Sequence, residues 1–158
     1  VEVIAYCPFA TPGRDARRHV TFVTLEELFA RAHVVSVHTP LLPETVGLID
    51  RRLLSSLRPD ATLINTARGP VIDQAALIAT LRTRPDLTAV LDVTDPEPPA
   101  ADDPIFSLPN AIVTPHIAGS HGPECQRMGR YMVDELARHL AGEPLLWSIS
   151  REQSLALA

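Results

Sequence analysis

Three polar side chains that could bind an anion or transfer a proton follow three short apolar runs of the sequence. Arg68 stands in INTARGPVID, Glu97 in LDVTDPEP and His116 in TPHIAGS. A guanidinium can bind a carboxylate through two parallel hydrogen bonds, and an imidazole exchanges a proton near neutral pH. Each residue alone has a plain structural alternative, as a surface cation, a loop carboxylate or a hydrogen-bonded loop histidine. Their shared position after apolar runs indicates a common site.

Short apolar and β-branched runs predict the strands that must position these side chains. The predicted strands are residues 1–6, 33–38, 61–65, 88–92 and 111–114. Amphipathic stretches between them predict crossover helices, and strands that are apolar on both faces are typical of a parallel sheet covered on two sides. Because the carboxyl ends of parallel strands share one edge, the sequence predicts an α/β fold with its site at that edge.

Helix starts are indicated by residues that can cap the first turn. Thr24 with Glu27 three residues later predicts a capping box, and Asp50 and Asp73 are predicted to cap the next two helices. The longest helix is predicted to begin at Pro123. Its apolar face repeats every four residues, and we expect that face to pack in the core. The face consists of Met128, Met132, Leu136 and Leu140.

Composition narrows the class of protein. The 158 residues are 46% hydrophobic and 21% charged with a net charge of -5, which suits one globular core and argues against a nucleic-acid surface. No apolar stretch approaches the ~20 residues of a membrane span. Cys7 and Cys125 have no partners at metal-ligand spacing, so we expect free thiols, no metal and a cytoplasmic location.

Four segments of the chain resemble, in order, the D-isomer-specific 2-hydroxyacid dehydrogenases, a family that includes phosphoglycerate dehydrogenases and glyoxylate and hydroxypyruvate reductases. The segments are VVSVHTPLLPETVGLID, LRPDATLINTARGPVIDQAALIATL, LDVTDPEP and LPNAIVTPHIAGS. The resemblance implies a Rossmann-type, doubly wound parallel sheet. It also implies an oxidoreductase that transfers a hydride between NAD or NADP and a D-2-hydroxy acid or its 2-oxo acid.

The same resemblance implies a role for each polar side chain. Arg68 would bind the substrate carboxylate and 2-oxo group, His116 would act as the acid/base, and Glu97 would stabilise the imidazolium and orient its ring. Asp92 would bond the nicotinamide carboxamide, although a turn cap is its structural alternative. The implied cofactor contacts are Cys7, Pro8, Thr39, Pro40, Thr66, Ala67, Arg68, Asp92, His116, Ala118 and Gly119.

Two departures from the family pattern concern the cofactor. Cys7 stands where many relatives carry an Asp for the ribose hydroxyls, and Arg14, Arg17 and Arg18 could meet a 2′-phosphate or be solvated cations, so NAD and NADP both stay open. None of the seven glycines forms G-x-G-x-x-G, the turn that binds a pyrophosphate. In the strand order 3-2-1-4-5-6, residues 1–7 resemble the second strand, so we expect the first, central strand to be absent too.

We therefore expect residues 1–144 to be a partial dinucleotide-binding domain and residues 145–158 a tail that in relatives returns toward a substrate domain. The chain alone should bind a dinucleotide poorly, and the parent enzyme should be a homodimer acting on a small 2-hydroxy or 2-oxo acid. The alternatives are a dinucleotide-sensing, corepressor-like binding module, a formate dehydrogenase or a phosphite dehydrogenase. A glutamine typically replaces the carboxylate in the formate branch, so Glu97 favours hydroxy-acid chemistry.

Overall fold

The computed structural model describes residues 1–8 and 19–155, and its strands pair in parallel. The strands are β1 (Val3–Ala5), β2 (Val20–Phe22), β3 (Val34–Val37), β4 (Thr62–Asn65), β5 (Thr88–Leu91) and β6 (Ala111–Val113). All five predicted strands are confirmed, and the α/β fold class with them. The short strand β2 was not predicted, because three residues are too few to show a pattern.

The six strands form two sheets with a groove between them. One sheet has the order β1-β2 and the other β3-β4-β5-β6. The groove has a volume of about 820 Å³ and is lined by residues of both β1 and β3, including the exposed Val3 and Val34. Read across the groove, the order is β2, β1, groove, β3, β4, β5, β6. This is the doubly wound order with the groove at the position of the central strand and one further strand at the far edge.

Three helices in the first part of the chain begin at the predicted caps. They are α1 (Leu25–Arg31), α2 (Arg51–Ser56) and α3 (Gln74–Thr83). The side chains of Thr24, Asp50 and Asp73 each accept a hydrogen bond, at 2.9 to 3.1 Å, from the backbone N–H three residues further on. Each cap thereby satisfies one of the N–H groups that the first turn of a helix leaves unpaired.

The core lies on one face of the four-stranded sheet. Alternate residues of β3, β4 and β5 are buried there together with Leu54 of α2 and Leu77 of α3. The other face, which the sequence pattern predicts to be covered as well, is half-buried in β4 and β5. It is exposed at Val34 of β3 and Ile112 of β6. The expectation of two covered faces therefore holds for one face only in the described chain.

Residue contacts divide the chain into two compact units, Val1–Pro115 and His116–Ala158. The second unit contains α4 (Pro123–Leu140) and α5 (Arg151–Leu155). Helix α4 begins at Pro123 as predicted, but the prediction of a core face is wrong. All four residues of that face, from Met128 to Leu140, are exposed. Helical periodicity identifies an apolar face but does not say whether the surface that covers it lies in the same chain.

Within the second unit, the segment after α4 folds back onto the helix. The ring of Trp147 stacks on Tyr131 with centroids 6.1 Å apart. The Glu135 carboxylate accepts hydrogen bonds from the backbone N–H groups of Leu146 and Trp147 at 3.0 to 3.1 Å. Trp147 thus packs against α4. Across residues 1–8 and 19–155, none of the helices combines the length and apolar character needed to cross a membrane.

Candidate active site

The loop after β4 presents Arg68 on a turn that the side chain of Asn65 holds. Asn65 is the last residue of β4 and is only 1% exposed. Its Oδ1 accepts a hydrogen bond from the Ala67 N–H at 3.0 Å, and its Nδ2 donates to the Arg68 carbonyl at 3.0 Å. An Asn that bonds the backbone two residues further on forms an Asx turn. The Arg68 side chain is exposed at this edge, and its Nη1 donates to the Ala67 carbonyl at 2.7 Å.

Gly69 brings the same turn against the loop that follows β5. A Cβ at Gly69 would lie 1.8 Å from the carbonyl oxygen of Thr94, so only glycine fits this approach. Gln74, at the start of α3, makes a second link, because its Oε1 accepts a hydrogen bond from the Asp95 N–H at 2.7 Å. The loops after β4 and β5 are therefore joined close to Arg68.

Asp92 lies directly after β5 and is 4% exposed. Its backbone N–H donates to the Asn65 carbonyl at 2.9 Å, and its carboxylate accepts a short hydrogen bond from the Thr114 hydroxyl. The carboxylate is thus held between the ends of β4 and β6, at the sheet edge that also carries Arg68. A fixed acceptor at this place suits a carboxamide N–H.

Glu97 follows in the loop after β5, with an exposed side chain in the same unit as Arg68. His116, Ala118 and Gly119 are exposed and belong to the second unit. His116 has a φ of +53°, a left-handed conformation that is uncommon outside glycine and recurs at functional sites. The meeting of His116 with Arg68 and Glu97 stays a prediction.

At the ends of β1 and β2, Cys7 lines an open cleft of about 680 Å³. Thr24, Glu26 and Arg52 line it too, and the Arg52 guanidinium lies 3.0 Å from the Glu26 carboxylate. A backbone hydrogen bond and the hydrogen bond from Arg52 lower the pKa of Glu26. The cleft thus combines a half-buried thiol with an ion pair.

The remaining predicted cofactor residues flank these two places. Thr39 and Pro40 are half-buried after β3, where the Pro40 carbonyl accepts a hydrogen bond from the Thr45 hydroxyl at 2.7 Å. Pro8 is exposed after β1, and Thr66 is exposed beside Arg68. The three arginines weighed for a 2′-phosphate, Arg14, Arg17 and Arg18, lie outside the described residues.

Cys7 and Asp92 are the predicted contacts for the two ends of a dinucleotide, and these contacts stay predictions. The structure shows a cleft beside Cys7 and a buried carboxylate at Asp92. The pyrophosphate turn between them is not in the sequence. In doubly wound folds that turn follows the central strand, whose position is the groove between β1 and β3.

This strand order, with its polar loops at the carboxyl edge, defines a dinucleotide-binding domain of the Rossmann type. Residues 1–118 match the family model described as D-isomer specific 2-hydroxyacid dehydrogenase, NAD binding domain. The chain belongs to this family, and the resemblance inferred from the four sequence segments is confirmed.

Individual relatives agree with this assignment. The chain is 38% identical over 141 residues to D-3-phosphoglycerate dehydrogenase of Mycobacterium tuberculosis, covering 89% of this chain and 26% of that protein. A D-isomer specific 2-hydroxyacid dehydrogenase of Xanthobacter autotrophicus in complex with NADPH and MES is 35% identical, with a TM-score of 0.75 over 93% of this chain and 59% of that one. D-lactate dehydrogenase of Lactobacillus jensenii with NAD+ is 29% identical, with a TM-score of 0.80 over 96% and 49%. The chain thus spans about a quarter to three fifths of these relatives.

Sequence reasoning missed the residues that support the predicted site residues. It gave no role to Asn65, Gly69 or Thr114. An Asn at a strand end, followed two residues later by a residue whose N–H it can bind, is a recognisable Asx-turn signal in INTARG. The hydroxyl of Thr114 had no such signal, because its bond to Asp92 depends on the pairing of β5 with β6.

Proposed function

We propose that this chain supplies the cofactor-binding and catalytic part of an NAD(P)-dependent D-2-hydroxyacid dehydrogenase. One observation carries the proposal: the Asn65 turn presents the exposed Arg68 guanidinium at the sheet edge that also holds Asp92. A cation at that position is suited to the carboxylate of a small acid. A chain of this family with Arg68, Glu97 and His116 retained has the side chains that the reaction requires.

Each of these side chains has one task in the proposed reaction. Arg68 binds the carboxylate and the 2-oxo oxygen through its fork of N–H donors, which fixes the plane of the substrate. His116 donates a proton to that oxygen in reduction and removes it in oxidation. Glu97 stabilises the charged imidazolium and orients its ring. When bound, the nicotinamide supplies or accepts the hydride at C2.

The proposed cofactor contacts follow the carboxyl edge of the sheet. Cys7 and Pro8 face the adenosine, Thr39 and Pro40 lie beyond β3, and Asp92 receives the carboxamide. The loop residues Thr66, Ala67 and Arg68, with His116, Ala118 and Gly119, complete the nicotinamide side. One solved relative was crystallised with NADPH and another with NAD+, so the proposal includes both dinucleotides.

The proposal also assigns the rest of the chain. Residues 1–144 form the dinucleotide-binding part, and residues 145–158 are a tail that returns toward a substrate domain. The parent protein is a cytoplasmic homodimer acting on a small 2-hydroxy or 2-oxo acid. The groove between β1 and β3 is the seat of a parallel strand that carries the pyrophosphate turn at its carboxyl end.

The test of catalysis uses the polypeptide encoded by the full reading frame that carries this chain. It is screened for reduction of glyoxylate, hydroxypyruvate and 3-phosphohydroxypyruvate with NADH and NADPH. Arg68→Lys keeps the charge but loses the fork, so we expect the KM for the 2-oxo acid to rise by about ten- to a hundredfold. The matched control is Arg82→Lys, an exposed arginine on α3.

His116→Ala separates a dehydrogenase from a sensing module. A dehydrogenase should lose about 10²- to 10⁴-fold in kcat while retaining dinucleotide binding, measured by the fluorescence of bound NADH. Unchanged turnover in this variant would refute the catalytic proposal. A second titration uses the 158-residue chain alone, where micromolar NADH binding with turnover would refute the view that a further strand and turn are needed.

A further inference from the structure

We propose that Asn65 is the positioning residue of the substrate-binding arginine, holding the Arg68 backbone in place relative to Asp92. The inference rests on the proposed function, because it gives Asn65 its effect through Arg68. Asn65 has no task of its own in the proposed reaction. The inference predicts how Asn65 affects the recognition of a 2-oxo acid carboxylate.

Asn65 has a fixed place from which to hold the turn. It is paired with Val37 of β3 on one side and with Leu91 of β5 on the other, within the four-stranded sheet. Its carbonyl accepts the Asp92 N–H at 2.9 Å. The main chain of Asn65 therefore supports the carboxamide-binding carboxylate, while its side chain supports the turn that carries Arg68.

The side chain of Asn65 makes two hydrogen bonds of opposite sense across that turn. Its Oδ1 accepts from Ala67 N–H and its Nδ2 donates to the Arg68 carbonyl, each at 3.0 Å. Among side chains of this size, only an amide provides a strong donor and a strong acceptor at its tip. An Asp would keep the acceptor but turn an anionic oxygen toward the Arg68 carbonyl. An Ala would leave both backbone groups without these partners.

Gly69 restrains the turn from its far side. Its Cα lies so close to the Thr94 carbonyl that no Cβ fits. With Asn65 on one side and Thr94 on the other, the backbone of Arg68 is held at both ends. The exposed guanidinium therefore projects from a fixed base, which reduces the ordering that substrate binding requires.

The chain offers a matched control for the loss of such an amide. The Nδ2 of Asn110 donates to the carbonyls of Leu81, Arg84 and Leu87 at 3.0 to 3.2 Å. Asn110 precedes β6 and Leu87 precedes β5, so this side chain holds loops at the amino ends of the strands. Asn110→Ala thus removes a loop-holding amide at the edge opposite Arg68.

The experiment measures inhibition by oxalate, an unreactive dicarboxylate, together with the KM for the 2-oxo acid in the active full-length enzyme. We expect Asn65→Ala to raise the oxalate inhibition constant and this KM together by about tenfold, with a smaller change in the KM for the dinucleotide. Asn65→Asp turns an anionic oxygen toward the Arg68 carbonyl, so it should raise the oxalate inhibition constant at least as much as Asn65→Ala. Asn110→Ala should lower Tm and leave the oxalate inhibition constant within twofold of the parent.

A double-substitution cycle tests whether Asn65 acts through Arg68. In an Arg68→Gln background, Asn65→Ala should have little further effect on oxalate binding, since the group that it positions is gone. If Arg68→Gln weakens oxalate binding and Asn65→Ala does not, the positioning role is overturned while the proposed function stands. If Arg68→Gln leaves oxalate binding unchanged, the proposed function fails and the positioning role fails with it.

Hydrogen exchange provides a readout that does not depend on activity. The amide of Ala67 donates to Asn65 Oδ1, so its exchange should accelerate in Asn65→Ala and stay unchanged in Asn110→Ala. Unchanged exchange at Ala67 in Asn65→Ala would overturn the inference by showing that the turn is held without this side chain.

Discussion

Helices α3 and α4 are both amphipathic, yet they differ completely in burial. The ten residues of α3 include four buried ones, Ala76, Leu77, Thr80 and Leu81, and the three apolar ones belong to the hydrophobic core. The eighteen residues of α4 include none. The shorter helix is the buried one because a sheet of its own unit covers it. Length and periodicity thus describe a helix, whereas its burial depends on what the rest of the chain provides.

Truncation of one apolar side chain in each helix tests whether α3 and α4 differ in burial. Leu77 of α3 is 3% exposed and Leu136 of α4 is 56% exposed. Leu77→Ala should lower the free energy of unfolding by about 2–5 kcal/mol, and Leu136→Ala should change it by less than about 0.5 kcal/mol. Urea unfolding of the 158-residue chain, followed by circular dichroism, measures both. Equal losses would mean that the α4 face is buried in solution.

A glycine in each of the two units gives a second contrast, because replacing it with alanine should change the stability in opposite directions. Gly69→Ala places a Cβ against the Thr94 carbonyl and should destabilise the chain by about 1–3 kcal/mol. Gly129→Ala, in the middle of α4 with nothing within 4 Å of the added Cβ, should stabilise the helix by about 0.5–1 kcal/mol. Thermal unfolding of both variants checks the signs. A stabilising Gly69→Ala would show that the two loops are not in contact.

An ion pair in the loop after α3 should make the stability depend weakly on pH. The Arg84 Nη2 lies 2.6 Å from the Asp86 carboxylate, and the hydrogen bond from Arg84 lowers the pKa of Asp86 from 3.8 to about 2. A lowered folded-state pKa means that the ionised carboxylate stabilises the fold above about pH 4 and that this contribution is lost as the pH falls toward 2.

Asp86→Asn removes this titration, so its unfolding free energy should fall less steeply than that of the parent between pH 4 and pH 2. Parallel pH profiles for the parent and Asp86→Asn would contradict the role of the Arg84–Asp86 pair.

Local signals allowed much of the fold to be predicted. Thr24, Asp50 and Asp73 cap their helices because a cap involves only residues three positions apart. Features that depend on a distant partner were not accessible in this way. The exposure of the α4 face is one, and the hydrogen bond between Thr114 and Asp92 is another.

The candidate site shows the same limit. Arg68 and Asp92 were predicted at strand ends, and both lie at the carboxyl edge of the sheet. The turn that holds Arg68 was not predicted, although Asn65 stands in the same segment and an Asn at a strand end is a recognisable Asx-turn signal. The meeting of His116 with Arg68 stays a prediction, since it depends on packing between the two units.

The groove between β1 and β3 affects how cooperatively the two sheets unfold. Two short strands make a marginal sheet in isolation, whereas β3 to β6 share one core. A parallel strand seated in the groove would hydrogen-bond to β1 on one side and β3 on the other. The two sheets would then be a single continuous ladder. Under the proposed function, the strand that carries the pyrophosphate turn would also join the two sheets.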